Sequence, residues 1–131
     1  MVNRRAFTLL EMIVASVLIG TMLTLCLQVL TATVAARRRA EIRLIALQQS
    51  ANVMERLAAV PWEDLSEENI AKLQLDKQVH RLLPEAQLDI EMTVPPDEPP
   101  AKRITVSIGW SDRAGQPVRP VRVVAWRYGG I

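Results

Sequence analysis

The pattern of apolar and polar positions changes twice along the chain. From Met12 to Ala36 there are 25 residues without a formal charge. A helix of that length spans roughly 37 Å at about 1.5 Å per residue. A bilayer core of about 30 Å needs roughly 20 apolar residues, so the segment is long enough to cross with some tilt. No proline interrupts it, and Gly20 is its only glycine. Beyond Arg39 the apolar residues Ala40, Leu44, Leu47, Ala51, Met54 and Ala58 recur in steps of four and three. That spacing predicts an apolar stripe on one helix face. Neither Gly nor Pro occurs between Thr21 and Val60. The spacing therefore predicts one continuous helix from about Phe7 to Ala59, ended by Pro61, which disfavours helix in the residue before it. The stripe reads as packing on the chain's own C-terminal half, with a two-stranded coiled coil as the alternative use.

The second change is from a helical period to a period of two. Pro61 to Leu65 reads as a turn. Ser66 is a good N-cap, and Glu67 and Glu68 suit the first turn of a short helix to about Leu75. Val79 to Leu83 fits helix or strand. Then Ala86, Leu88, Ile90, Met92 and Val94 alternate with Gln87, Asp89, Glu91 and Thr93, the mark of a half-buried strand. The prolines from Pro95 to Pro100 read as a stiff exposed loop. Ile104, Val106, Ile108 and Trp110 resume the alternation, Ser111 to Gly115 turns, and Val118 to Tyr128 predicts a third strand with Pro120 near its start. Short connections favour an antiparallel meander. The expected class is α+β, with a long N-terminal helix packed on about three antiparallel strands.

Composition narrows the chemistry. In 131 residues, hydrophobic types make up 50% and aromatics only 4%, with one cysteine (Cys26) and one histidine (His80). An intrachain disulfide and a multi-histidine metal site are excluded, and nothing frames a nucleophilic triad. No cofactor is expected. The formal charge of +2 is unevenly spread: Arg4 and Arg5 precede the apolar run, Arg37, Arg38 and Arg39 follow it, and the residues from Val60 onward carry nine basic and eleven acidic side chains. No basic stripe suited to nucleic-acid phosphates is present. His80 reads as a surface histidine, Asp89 and Glu91 as the solvent face of a strand, and Asp97 and Glu98 as solvated loop carboxylates. Trp62, Trp110 and Trp126 read as anchors of the small core.

Glu11 stands out at the edge of the apolar run. A charged side chain at the centre of a membrane helix costs about 2.5 to 3.5 kcal/mol on insertion scales. Glu11 either reaches headgroup water or meets a specific cation. Arg4 and Arg5 are a poor match to same-face spacing. Ser16, Gly20 and Thr24 repeat every four residues, so they share a helix face on which small side chains permit close approach in lipid. A packing surface and a chance arrangement both fit that repeat.

The run Arg5-Ala6-Phe7-Thr8-Leu9-Leu10-Glu11-Met12-Ile13-Val14-Ala15 resembles the signal of type IV prepilins and type II secretion pseudopilins. The shared features are a short basic leader, a small residue, Phe, then Thr-Leu-Leu-Glu leading into an apolar helix. The resemblance implies that a prepilin peptidase cuts between Ala6 and Phe7 and that Phe7 is then N-methylated. It also implies that Glu11, the fifth residue after the cut, neutralises the new amine of a neighbouring subunit. Ala6 departs from the glycine most often found before the cut. The implied organisation is a leader over 1–6, a membrane-spanning half-helix over 7–36, a periplasmic half-helix over 37–59 and a small α+β head over 60–131. The implied protein is a non-enzymatic filament subunit of the bacterial inner membrane, a minor pseudopilin or minor pilin. Its partners would be the peptidase, other pilin or pseudopilin subunits, membrane lipid and an assembly platform.

Two other readings use the same residues. Arg4-Arg5-Ala6-Phe7 also resembles a twin-arginine export signal, and Val34-Ala35-Ala36 a signal-peptidase site, which would leave a soluble periplasmic protein. The apolar run is longer than the usual 7–15 residue core of such signals. An uncleaved single-pass accessory protein is the third reading.

Overall fold

The computed structural model describes residues 8–96 and 100–129. Ala6 and Phe7, and the loop carboxylates Asp97 and Glu98, lie outside the described residues. One helix, α1, runs over Leu9–Ala59. It is followed by a 3-10 turn (Trp62–Asp64) and two short helices, α2 (Glu67–Ala71) and α3 (Lys77–Leu82). Three strands come next: β1 (Gln87–Thr93), β2 (Ala101–Gly109) and β3 (Val121–Tyr128). They form an antiparallel sheet in the order β1-β2-β3. The protein is α+β, a long N-terminal helix packed on a three-stranded antiparallel sheet. The chain divides into two compact units, Met1–Arg39 and Ala40–Ile131.

Local chemistry explains the boundaries. Thr8 sits directly before α1, and its Oγ1 accepts a hydrogen bond from the Glu11 N–H at 3.3 Å. Ser66 accepts from the Asn69 N–H and Asp76 from the Gln78 N–H, capping α2 and α3. The first short helix therefore ends at Ala71, earlier than the residue pattern suggests, and Lys77–Leu82 forms a separate one. Pro117 and Pro120 delay β3 to Val121; before it, only a single bridge joins Ser111 to Pro117. Asp112 turns the chain between β2 and β3: its Oδ1 accepts from the Ala114 and Gln116 N–H groups, both at 2.9 Å. Gly115 completes that turn with φ +74°, a conformation that glycine adopts without steric cost.

The core of the C-terminal unit lies between the end of α1 and the sheet. Ala46 packs with Val79, Leu83, Ala86, Ile108, Trp110 and Val121. Val53 and Leu57 pack with Leu65, Ile70, Ile104 and Val106. The buried positions of α1 are Ala46, Ser50, Val53 and Leu57. This corrects the stripe expected from the sequence. Leu44 is 64% exposed and Leu47 46%, Ala40, Ala51 and Ala58 are exposed, and only Met54 is half-buried. Both sets of positions obey steps of three and four, so period alone does not choose between them. The small side chains of Ala46 and Ser50 do. They let the helix backbone approach the sheet, and the Ser50 hydroxyl is satisfied by the Ala46 carbonyl at 2.9 Å.

A second correction concerns the tryptophans. Trp110 is buried and Trp62 is half-buried, but Trp126 is 51% exposed. The strand register is the reason. Trp126 pairs with Arg103 across β2 and β3, and both alternate with the inward Ile104 and Ala125. Trp126 therefore stands on the outer face of the sheet, with the Arg103 guanidinium 5.8 Å from its ring centroid.

Candidate functional site

Among the described residues of the N-terminal unit, helical from Leu9 onward, every side chain is exposed. Fifteen large apolar side chains from Leu9 to Val34 are exposed. Burying each would contribute about 1.5–3 kcal/mol, roughly 20–45 kcal/mol together. A continuous exposed apolar surface of that size is one that lipid or partner chains cover. The helix is long and apolar enough to cross a membrane, and none of its most apolar window is buried.

Within it, hydroxyl side chains are satisfied locally. The Ser16 hydroxyl donates to the Met12 carbonyl at 2.8 Å and the Thr24 hydroxyl to the Gly20 carbonyl at 2.9 Å. Thr21, Thr31 and Thr33 bond back to their own helix in the same way. Each bond removes a donor that would be costly to leave unpaired in hydrocarbon. Ser16, Gly20 and Thr24 are all exposed. A Cβ built on Gly20 meets nothing within 4 Å. The face is open, and the arrangement can admit a neighbouring helix at close range.

Glu11 lies in the first turn of α1, exposed. Viewed as a lone charge it calls for a cation; its relation to Thr8 is the signal that such a view misses. Thr8-Leu9-Leu10-Glu11 has the Thr-x-x-Glu spacing of a capping box, and the Thr8 half of that box is formed. A carboxylate in the first turn is also favoured by the helix dipole. Glu11 thus sits where a helix start tolerates negative charge, next to where the chain enters the helix. Cys26 is a free, exposed cysteine on the same helix.

Elsewhere the sequence-predicted candidates stay apart. His80 is exposed in the last turn of α3. Asp89 and Glu91 are exposed on the outer face of β1. Among the described residues no three His, Cys, Asp or Glu side chains gather in a metal-ligating arrangement.

Two cations that the sequence did not single out tie the sheet to the end of α1 and the turn after it. The Lys102 ammonium donates to the Trp62 carbonyl at 3.0 Å and the Leu65 carbonyl at 2.9 Å, and lies 4.4 Å from the Trp62 ring centroid. The Arg127 guanidinium donates to the Leu57 carbonyl at 3.1 Å and to the Val60 carbonyl. The acceptors of Arg127 belong to the last turn of α1 and the residue after it, at the negative end of the helix dipole; the Leu57 carbonyl also accepts from the Val60 N–H at 3.3 Å. The inward positions of Lys102 and Arg127 on their strands were the available signal, since a charge on an apolar face needs a partner.

Comparison with known proteins bears on the N-terminal segment alone. Residues 1–27 match the family described as the prokaryotic N-terminal methylation motif. No curated protein matches the chain. No solved structure matches it either. The motif implies processing by a prepilin peptidase and pilin-type subunits as partners, and marks chains that are structural rather than catalytic. Together with the long apolar helix it fits membrane anchoring. The N-terminal segment of this chain is a type IV prepilin- or pseudopilin-type signal.

Proposed function

We propose that the chain is a structural subunit, a minor pseudopilin or minor pilin, of a type II secretion or type IV pilus-like filament in the bacterial envelope. The observation that carries this reading is the coincidence of the methylation motif over residues 1–27 with a helix whose apolar side chains from Leu9 to Val34 are all exposed. The precursor is held in the inner membrane by residues 7–36, with residues 60–131 in the periplasm. A prepilin peptidase cuts between Ala6 and Phe7 and Phe7 becomes N-methylated. The new α-amino group is a cation in lipid, and Glu11 of a neighbouring subunit offsets it. Each charge alone is costly at that depth, and the pair is less so. Ser16, Gly20 and Thr24 form the face on which neighbouring helices approach. The mechanism is association.

Mass spectrometry of the protein recovered from cells tests the reading. The mature chain is expected to begin at methylated Phe7, and a chain beginning at Met1 or at Arg37 overturns it. Glu11→Ala is expected to leave the precursor in the membrane while incorporation into multimers falls at least about tenfold, the equivalent of about 1.4 kcal/mol. Unchanged incorporation removes the charge role of Glu11.

A further inference from the structure

The sheet of the C-terminal unit has two open edges, and they are unlike. Among the described residues no further strand lies beside β1 or β3. Both are long, at 7 and 8 residues, and neither contains Gly or Pro. An unprotected edge of this kind is a template for another strand. β1 carries Asp89 and Glu91 and no basic residue. β3 carries Arg122 and Arg127 and no acidic one.

The β1 edge has a groove beside it. A cleft of about 400 Å³ lies between α2 and β1, lined by Glu67, Ile70, Ala71, Leu73 and the unbroken run Leu88–Met92. Side chains of a strand alternate between faces. An unbroken run therefore means that the cleft follows the strand's edge and not one face of it. Inside it Leu88, Ile90 and Met92 are only half-buried. On β3 the inward Val123 and Ala125 are likewise only half-buried, while the exposed Val124, Trp126 and Tyr128 stand on the outer face.

We infer that the β3 edge of one copy of this chain docks on the β1 edge of a second copy, extending the sheet from subunit to subunit. The register supports this occupant. Asp89, Ser107 and Arg122 lie in one row across the sheet, and Glu91, Thr105 and Val124 in the next. Continuing those rows into a second copy sets Arg122 beside the next Asp89 on the outer face. On the inner face it sets Val121, Val123 and Ala125 beside the next Leu88, Ile90 and Met92, which covers the half-buried residues of the cleft. Pairing like edges would instead bring two basic or two acidic strands together, which cross-strand repulsion disfavours. A contact between unlike edges is head-to-tail, and builds an open run wherever its rotation does not close into a ring. The inference rests on the reading of the chain as an assembling subunit, and a run of two copies is enough for it.

Cross-linking of the full-length chain in membranes tests it, on a Cys26→Ser background. One tagged copy carries Glu91→Cys and a differently tagged copy Val124→Cys. Both positions are outward on the sheet, so folding is unaffected. A short bismaleimide is expected to join the mixed pair, and the two like pairs, Glu91→Cys with itself and Val124→Cys with itself, far less. Asp89→Arg in the first copy is expected to lower the mixed product about threefold or more, and Arg122→Asp in the second to restore it. Co-purification of the two tags reports helix-mediated assembly separately. Tags that co-purify without the mixed product, or with like pairs equal to it, overturn the strand pairing and leave the assembly reading intact. A charge reversal without effect, or without rescue, also overturns it. Tags that do not co-purify overturn contact between copies, and with it the strand pairing, while the methylated Phe7 start reports the assembly reading separately.

Discussion

Arg127 shows most clearly how one side chain joins two parts of this molecule. Its guanidinium reaches the Leu57 and Val60 carbonyls at the end of α1, 70 and 67 residues away in sequence. Hydrogen bonds to charged groups are worth about 1.5–3 kcal/mol each in net terms. Arg127→Met keeps the stem and removes the donors. It is expected to lower the unfolding free energy of the C-terminal unit by about 1–3 kcal/mol, read as a shift of the denaturant midpoint. Gly129 is constrained differently. A Cβ there would lie 2.4 Å from two carbons of the Trp62 indole, the ring over which the Lys102 ammonium sits. Gly129→Ala is therefore expected to cost about 1–3 kcal/mol by displacing Trp62, visible as a change in tryptophan fluorescence. Strand alternation marks Arg127 as an inward charge but not its acceptors, and nothing local marks Gly129, because each partner is brought close only by the fold.

At the level of single elements, α1 carries two apolar faces with the same period in its C-terminal part. Ala46 and Ser50 face the sheet, while Leu44 and Leu47 face away. Ala46 and Ser50 are fully buried with small side chains, and Val53 and Leu57 continue the same face with larger ones. Ser50→Leu inserts a large group where Ser50 is fully buried, and overpacking of that kind costs about 1–3 kcal/mol. Leu44→Ser is expected to leave thermal stability within about 0.5 kcal/mol, as for other surface changes. The opposite ranking, with Leu44→Ser the more damaging in isolated protein, would mean that the packed face is the one with the large residues. The two ends of α1 differ in how readable they are. Thr8 before Leu9, with Glu11 three residues later, is a local signature, and so is Pro61 at the other end. The closing of the last carbonyls by Arg127 is not local.

Taken entire, the molecule is dominated by the apolar surface of residues 9–34. With roughly 20–45 kcal/mol of burial left unrealised, the full chain is expected to stay with membranes through an alkaline carbonate wash and to leave them only in detergent. Release by carbonate alone would show that the helix is covered by protein and not by lipid. The two compact units, Met1–Arg39 and Ala40–Ile131, answer to different solvents. The same residue types form an exposed apolar surface in one and a core in the other.

Short-range order in the chain was enough to specify the uncharged run, the ends of α1, the proline-delimited strands with their alternation, and the Phe-Thr-Leu-Leu-Glu signal. Each of these is written in adjacent or near-adjacent residues, where sterics, capping and period act directly. Folding in three dimensions chose which helix face is buried, which tryptophan is not, and where Lys102 and Arg127 find their acceptors. Those outcomes depend on close approach between segments tens of residues apart. There the side-chain volume and the strand register choose among patterns that local periodicity leaves equal.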